Sequence, residues 1–106
     1  MIVYFRKSTN PSKKYMVTII DETNKSKTIH FGSADHEDYT IHKDKERMER
    51  YKKRHKTNEN WKKSGIKSAG FWSRWVLWNK PSIAASITDI KQRFNIVIKK
   101  SEPPSR

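Results

Sequence analysis

The chain has 106 residues and a formal net charge of +13, from 24 Lys and Arg against 11 Asp and Glu. It contains no cysteine, which excludes disulfides, thiolate metal sites and cysteine nucleophiles, and no apolar run approaches the ~20 residues of a membrane span. Hydrophobic residues make up only 33%, but four Trp, four Tyr and four Phe, each able to bury roughly 150–250 Å², suffice for one small core built on rings.

The first third predicts strands. Residues 2–5 are a short β-rich run, too short for a signal peptide, so a cytosolic or nuclear setting is expected. Asn10-Pro11-Ser12 signals a turn. Residues 15–20 alternate Tyr15, Val17 and Ile19 against Met16, Thr18 and Ile20. Residues 21–25 fit a hairpin loop, and residues 26–31 alternate again before Gly32 ends the strand. The acidic stretch 33–38 leads to a helix over residues 41–56, capped by Asp38 or Thr40. Ile41, Met48, Tyr51 and His55 fall on one stripe of that helix. Glu46 and Arg50 form an i,i+4 pair on it.

A connector with Gly65 and Gly70 follows, then a short aromatic helix over residues 71–79, stopped by Pro81. Phe71, Trp75 and Trp78 share one face of it, Trp72 and Val76 another. Ser86-Ile87-Thr88-Asp89 resembles a capping box, and Ile83, Ile87, Ile90 and Phe94 make an apolar stripe through the last helix. The expectation is an α+β fold: a small two- to three-stranded antiparallel sheet followed by three helices around a Trp-rich core. One domain spans residues 1–95, and residues 96–106 are a basic, Pro-containing tail without a core pattern.

The charge is unevenly spread. Residues 39–80 hold 13 Lys or Arg against four acids, and all four tryptophans. Such concentration of like charge opposes compaction unless a partner cancels it. Lys43, Lys45, Arg47, Arg50, Lys52, Lys53, Arg54 and Lys56 on the predicted helix therefore make the candidate polyanion-binding face. Phosphates of DNA or RNA are one class of partner, with affinity driven by counterion release, and an anionic membrane surface or acidic protein is another. Phe71, Trp72, Arg74, Trp75 and Trp78 are candidates for an aromatic core or for a partner anchor, with Arg74 laid on an indole face.

No catalytic constellation is visible. There are three glycines in all and no phosphate loop or nucleophile elbow, and the carboxylates are scattered. His30, His36, His42 and His55 have no i,i+3 or i,i+4 spacing, and the Asp35-His36-Glu37-Asp38 run lacks the spacing of a calcium loop, so neither metal nor cofactor is expected. The reading is of a non-enzymatic protein.

Several stretches carry a resemblance: Phe31-Gly32, residues 38–44 (Asp-Tyr-Thr-Ile-His-Lys-Asp), Arg54-His55, Glu59-Asn60-Trp61, Ser64-Gly65, and above all residues 70–82, Gly-Phe-Trp-Ser-Arg-Trp-Val-Leu-Trp-Asn-Lys-Pro-Ser. Over about residues 15–96 the chain resembles small basic, uncharacterised proteins of nucleocytoplasmic large DNA viruses. That resemblance implies a virion location, with host cytoplasm or nucleus during assembly, and a structural role such as a minor capsid or cement component bound to other virion proteins. A nucleic-acid-binding role in genome packaging or gene expression is the alternative. It implies no catalytic residue.

Overall fold

The structure, a computed structural model, describes residues 1–104. Three strands come first: β1 (Ile2–Lys7), β2 (Lys13–Ile20) and β3 (Ser26–Ser33). They form two antiparallel hairpins, with Phe5 opposite Val17 and Val17 opposite Ile29. The turns are fixed by side chains. Asn10 Oδ1 accepts from the Ser12 amide at 3.0 Å, and Asp21 Oδ1 accepts from the Thr23 and Lys25 amides, the local bonding that favours Asn and Asp in turns.

The two sheet faces differ as the alternation requires. Val3, Phe5, Val17, Ile19, Ile29 and Phe31 point to the core and are buried. The other face carries Tyr4, Arg6, Met16, Thr18, Thr28 and His30, in a polar ladder where Arg6 donates to Thr18 Oγ1 and Thr18 bonds Thr28. Gly32 does not end β3, which runs on to Ser33. Its φ is +78°, and a Cβ there would lie 2.7 Å from Leu77 Cδ1. Gly32→Ala is therefore expected to cost about 1–2 kcal/mol, the penalty for a left-handed L-residue, read as a lower urea midpoint with an unchanged slope.

The helices pack on the inner face. The chain passes through α1 (Tyr39–His42), α2 (Lys45–His55), a 3₁₀ turn (Lys63–Gly65), α3 (Ala69–Trp72) running into a π-helical turn (Ser73–Leu77), and α4 (Ile83–Phe94). Phe71, Trp72, Val76, Leu77, Ile87 and Ile90 from these segments close the core, each at most 2% exposed. Asp38 caps α1, accepting from the Thr40 amide, and is itself only 2% exposed, paired with Lys14 at 2.5 Å. This carboxylate is thus buried rather than part of a solvated loop.

Five expectations are corrected. The sheet has four strands, not two or three, and is mixed. β4 (Val97–Lys99) lies beside β1 in parallel, with Val3 opposite Ile98. The stretch from residue 96 is therefore not a tail without core pattern. Ile96 and Ile98 are buried, and Pro103 and Pro104 lie beside Thr18 and Ile20. Residues 105–106 of the expected tail lie outside the described residues. A three-residue strand flanked by lysines and prolines is too short to display its alternation.

The helix expected over residues 41–56 is two helices. Lys43 adopts a left-handed conformation with φ 56°, and Asp44 starts a new helix by accepting from the Glu46 and Arg47 amides. That break turns Ile41 out to 56% exposure, off the stripe that Tyr51 anchors. The Glu46–Arg50 pair does not form. Glu49 takes Lys52 and Glu37 takes Arg47 instead, both at 3.2 Å. Finally, α4 begins at Ser82, whose side chain accepts from the Ala85 amide, and not at Ser86. Ser86 is fully buried inside the helix, where its Oγ accepts from the Lys80 amide.

Candidate polyanion interface

The break at Lys43 makes α2 a separate unit that rests on the body through rings. Tyr51, 7% exposed, is its anchor. Its ring stacks on Trp78 at 4.4 Å with an interplanar angle of 4°, and on His55 at 4.3 Å. Trp61, from the connector, lies parallel to it at 6.4 Å. The junction is set by His42, whose Nδ1 accepts from the Asp44 amide and whose ring lies 5.4 Å from Trp78. A helix propped on aromatic faces presents its charged side outward by geometry alone.

Burial raises the Tyr51 phenol, with the nearby Glu59 carboxylate adding to the effect and Arg74 and Arg54 opposing it. Burial also raises Tyr15, with Asp38 adding. For a phenol held neutral by the fold, the stabilisation is complete below the ordinary tyrosine value of about 10 and fades as pH rises beyond it. An alkaline absorbance titration is expected to show Tyr15 and Tyr51 ionising later than free tyrosine, with stability falling above about pH 10.

Of the eight predicted basic residues, Lys43 caps α1, Lys56 caps α2, and the other six stand along α2. Arg47 is held by Glu37 and Lys52 by Glu49. Among the described residues, no carboxylate pairs with Arg50, Lys53 or Arg54. Arg47, Arg50, Lys53 and Arg54 follow i, i+3, i+4 spacing, share a face, and together with Trp78 line an open groove of about 550 Å³. A second groove of about 570 Å³ lies on the other flank of α2, lined by Glu49, Arg50, Lys52, Lys53, Lys56, Trp61, Arg74 and Trp75. Arg50 and Lys53 border both grooves.

The five aromatic-segment candidates divide. Phe71 and Trp72 are core residues at 0% exposure, with Trp72 Nε1 donating to the Ile66 carbonyl at 2.7 Å. Trp75 and Trp78 are half-buried and face the grooves. Arg74 lies between these groups. Its guanidinium sits 4.3 Å from the Trp75 ring centre and 5.4 Å from that of Trp61, while Arg93 also lies over Trp75 at 4.5 Å. Trp61, which the sequence left in the connector, is drawn in by the turn at Asn60. Asn60 Oδ1 accepts from the Lys62 amide, and the Trp61 carbonyl accepts from Trp75 Nε1 at 2.9 Å. Gly65 is required there, since a Cβ would fall on the Asn60 carbonyl oxygen. Among the described residues, no three His, Asp or Glu side chains converge as a metal site would need, and no helix is long and apolar enough to cross a membrane.

Residues 3–55 match the model of a family of unknown function, DUF5754. The chain belongs to that family. The match covers the hairpins, α1 and α2, and so holds seven of the eight candidate bases, Lys56 lying just beyond it. The Trp-rich segment that braces α2 in this DUF5754 protein follows the matched region. No curated protein and no solved structure matches the chain.

Proposed function

We propose that this DUF5754 protein is a non-enzymatic nucleic-acid-binding protein that holds backbone phosphates with α2. The observation that carries the reading is the groove in which Arg47, Arg50, Lys53 and Arg54 converge over Trp78, with three of the four cations free of carboxylate partners among the described residues. Guanidinium groups suit phosphate oxygens by their forked donors, and an indole beneath them offers a base-tolerant contact. Nothing in the arrangement reads a base edge, so affinity would be insensitive to sequence. In the viral setting suggested by the resemblance over residues 15–96, the role would be genome packaging or gene expression.

The test is binding of a labelled oligonucleotide across a salt series. With about six phosphate contacts, affinity should fall by ~10³ between roughly 50 and 200 mM salt. Undetectable binding at the lowest salt would remove this role.

The Trp-rich residues 70–82 favour a second reading through that same resemblance: a structural component of a virus particle, in which α2 meets acidic faces of neighbouring virion proteins. Recovery of the protein from purified shells stripped of genome, coupled with no oligonucleotide binding, would select it.

A further inference from the structure

Arg74 is a charged side chain with most of its surface removed from water, at 9% exposure. Its Nη1 donates to the Trp78 carbonyl, and its Nε is buried with no acceptor at all. No carboxylate pairs with it among the described residues. Glu49, the acid lining the same groove, is paired with Lys52 at 3.2 Å. The indole faces of Trp75 and Trp61 offset part of the desolvation, but a buried cation without a counter-charge remains costly. Burial, and then the like charge of Arg93, push against its ionised form, and Tyr51, Glu49 and Asp89 oppose them only in part.

The fold makes a special turn to put it there. Arg74 belongs to the π-helical turn Ser73–Leu77. Such widened turns are rare and recur at functional sites. Above Arg74, Arg50, Lys52, Lys53 and Lys56 stand on the rim of the groove, so five cations line one open groove of about 570 Å³, with the Glu49 carboxylate there taken up by Lys52. Its volume lies within the ~300–1,000 Å³ usual for small-ligand sites.

We infer that this groove seats one unpaired nucleotide, its phosphate between Arg74, Arg50 and Lys53 and its base against the parts of the Trp61 and Trp75 rings that border the groove and that Arg74 and Arg93 leave uncovered, so that the nucleic acid bound is single-stranded. The inference rests on the nucleic-acid reading above and sharpens it. A duplex keeps its base faces stacked inside and its phosphates on a convex surface, so it reaches exposed cations but not a guanidinium sunk beneath α2. A single strand can turn one residue inward. The adjoining groove over Trp78, which shares Arg50 and Lys53, continues the track for the next residue.

The test uses the full chain and its own tryptophan fluorescence. A single-stranded 12-mer and the duplex of the same sequence are titrated at one low salt concentration, alongside adenosine 5′-monophosphate, adenosine and inorganic phosphate. The expected result is at least tenfold tighter binding of the single strand than the duplex. Saturable quenching by the nucleotide should also exceed that by adenosine or phosphate alone. Arg74→Lys, checked for fold by circular dichroism, should lose about tenfold on the single strand and little on the duplex. Should that variant unfold, the wild-type comparison still decides. Duplex binding as tight as single-strand binding, or a nucleotide no better than phosphate, overturns the inference and leaves the general nucleic-acid role standing. Absence of binding to either polymer overturns both.

Discussion

Replacing Arg47, Arg50, Lys53 and Arg54 together by glutamine is expected to abolish most nucleic-acid affinity while leaving the fold intact. All four head groups are exposed, and the one ion pair among them, Arg47 with Glu37, has side chains 43% and 57% exposed. Surface pairs of this kind contribute ~0–1 kcal/mol, and removing like charge from a chain of net +13 relieves repulsion. Thermal stability should therefore hold or rise slightly. Binding should respond very differently. Each phosphate interaction removed lowers the salt dependence by roughly one logarithmic unit or a little less, so deleting four of them takes away a slope of roughly 3. At about 50 mM salt the affinity should drop by at least ~10². A quadruple variant that binds every partner as the parent does, with the same salt slope, would reduce α2 to a solvated surface.

The largest effect on stability is expected from Trp72→Ala. Trp72 has no exposed surface, packs against Phe31 and Phe71, and satisfies the Ile66 carbonyl through Nε1. Truncating a buried Trp costs about 3–5 kcal/mol, a large share of the ~5–15 kcal/mol available to a domain. The melting temperature should fall by on the order of 15 °C or more. Trp72→Phe keeps most of the ring but leaves the buried Ile66 carbonyl without its donor, at a cost of ~1–3 kcal/mol. Calorimetry on the two variants separates the packing contribution from the hydrogen bond. An alanine variant within 1 kcal/mol of the parent would mean that the core is not organised around this indole.

Much of the core around Trp72 was legible in the amino-acid sequence. Strand alternation placed Val17, Ile19, Ile29 and Phe31 on one face correctly, because a half-buried sheet stamps a period of two on the chain. The stripe Ile83, Ile87, Ile90 and Phe94 was equally plain, since α4 packs one face on the core. The features that failed to show depend on a single backbone conformation or a distant partner. Lys43 in the left-handed region splits the basic helix, and neither Gly nor Asn marks the spot. The π turn inserts about one extra residue per turn into the aromatic segment, which a helical wheel does not display, although Arg74 does lie on an indole face as expected. Short β4 is recruited only by pairing with β1.

At the candidate interface the basic residues were readable as composition, but their floor was not. Trp78 under Arg47, Arg50, Lys53 and Arg54, and Trp61 beside Arg74, come from segments remote in sequence. Only the tertiary arrangement turns a charge run and a Trp cluster into two adjoining grooves.

The parallel pairing of Ile2 with Val97 has a kinetic consequence. Almost the whole chain must be spooled out between these partners, and the loop-closure entropy of such a long-range pairing weighs on the folding barrier. The two hairpins are free to assemble early from near neighbours, whereas Val3 gains its last cover only when Ile98 arrives. During synthesis, the first strand would thus wait at an open flank of the sheet until the ribosome has delivered residues 97–99.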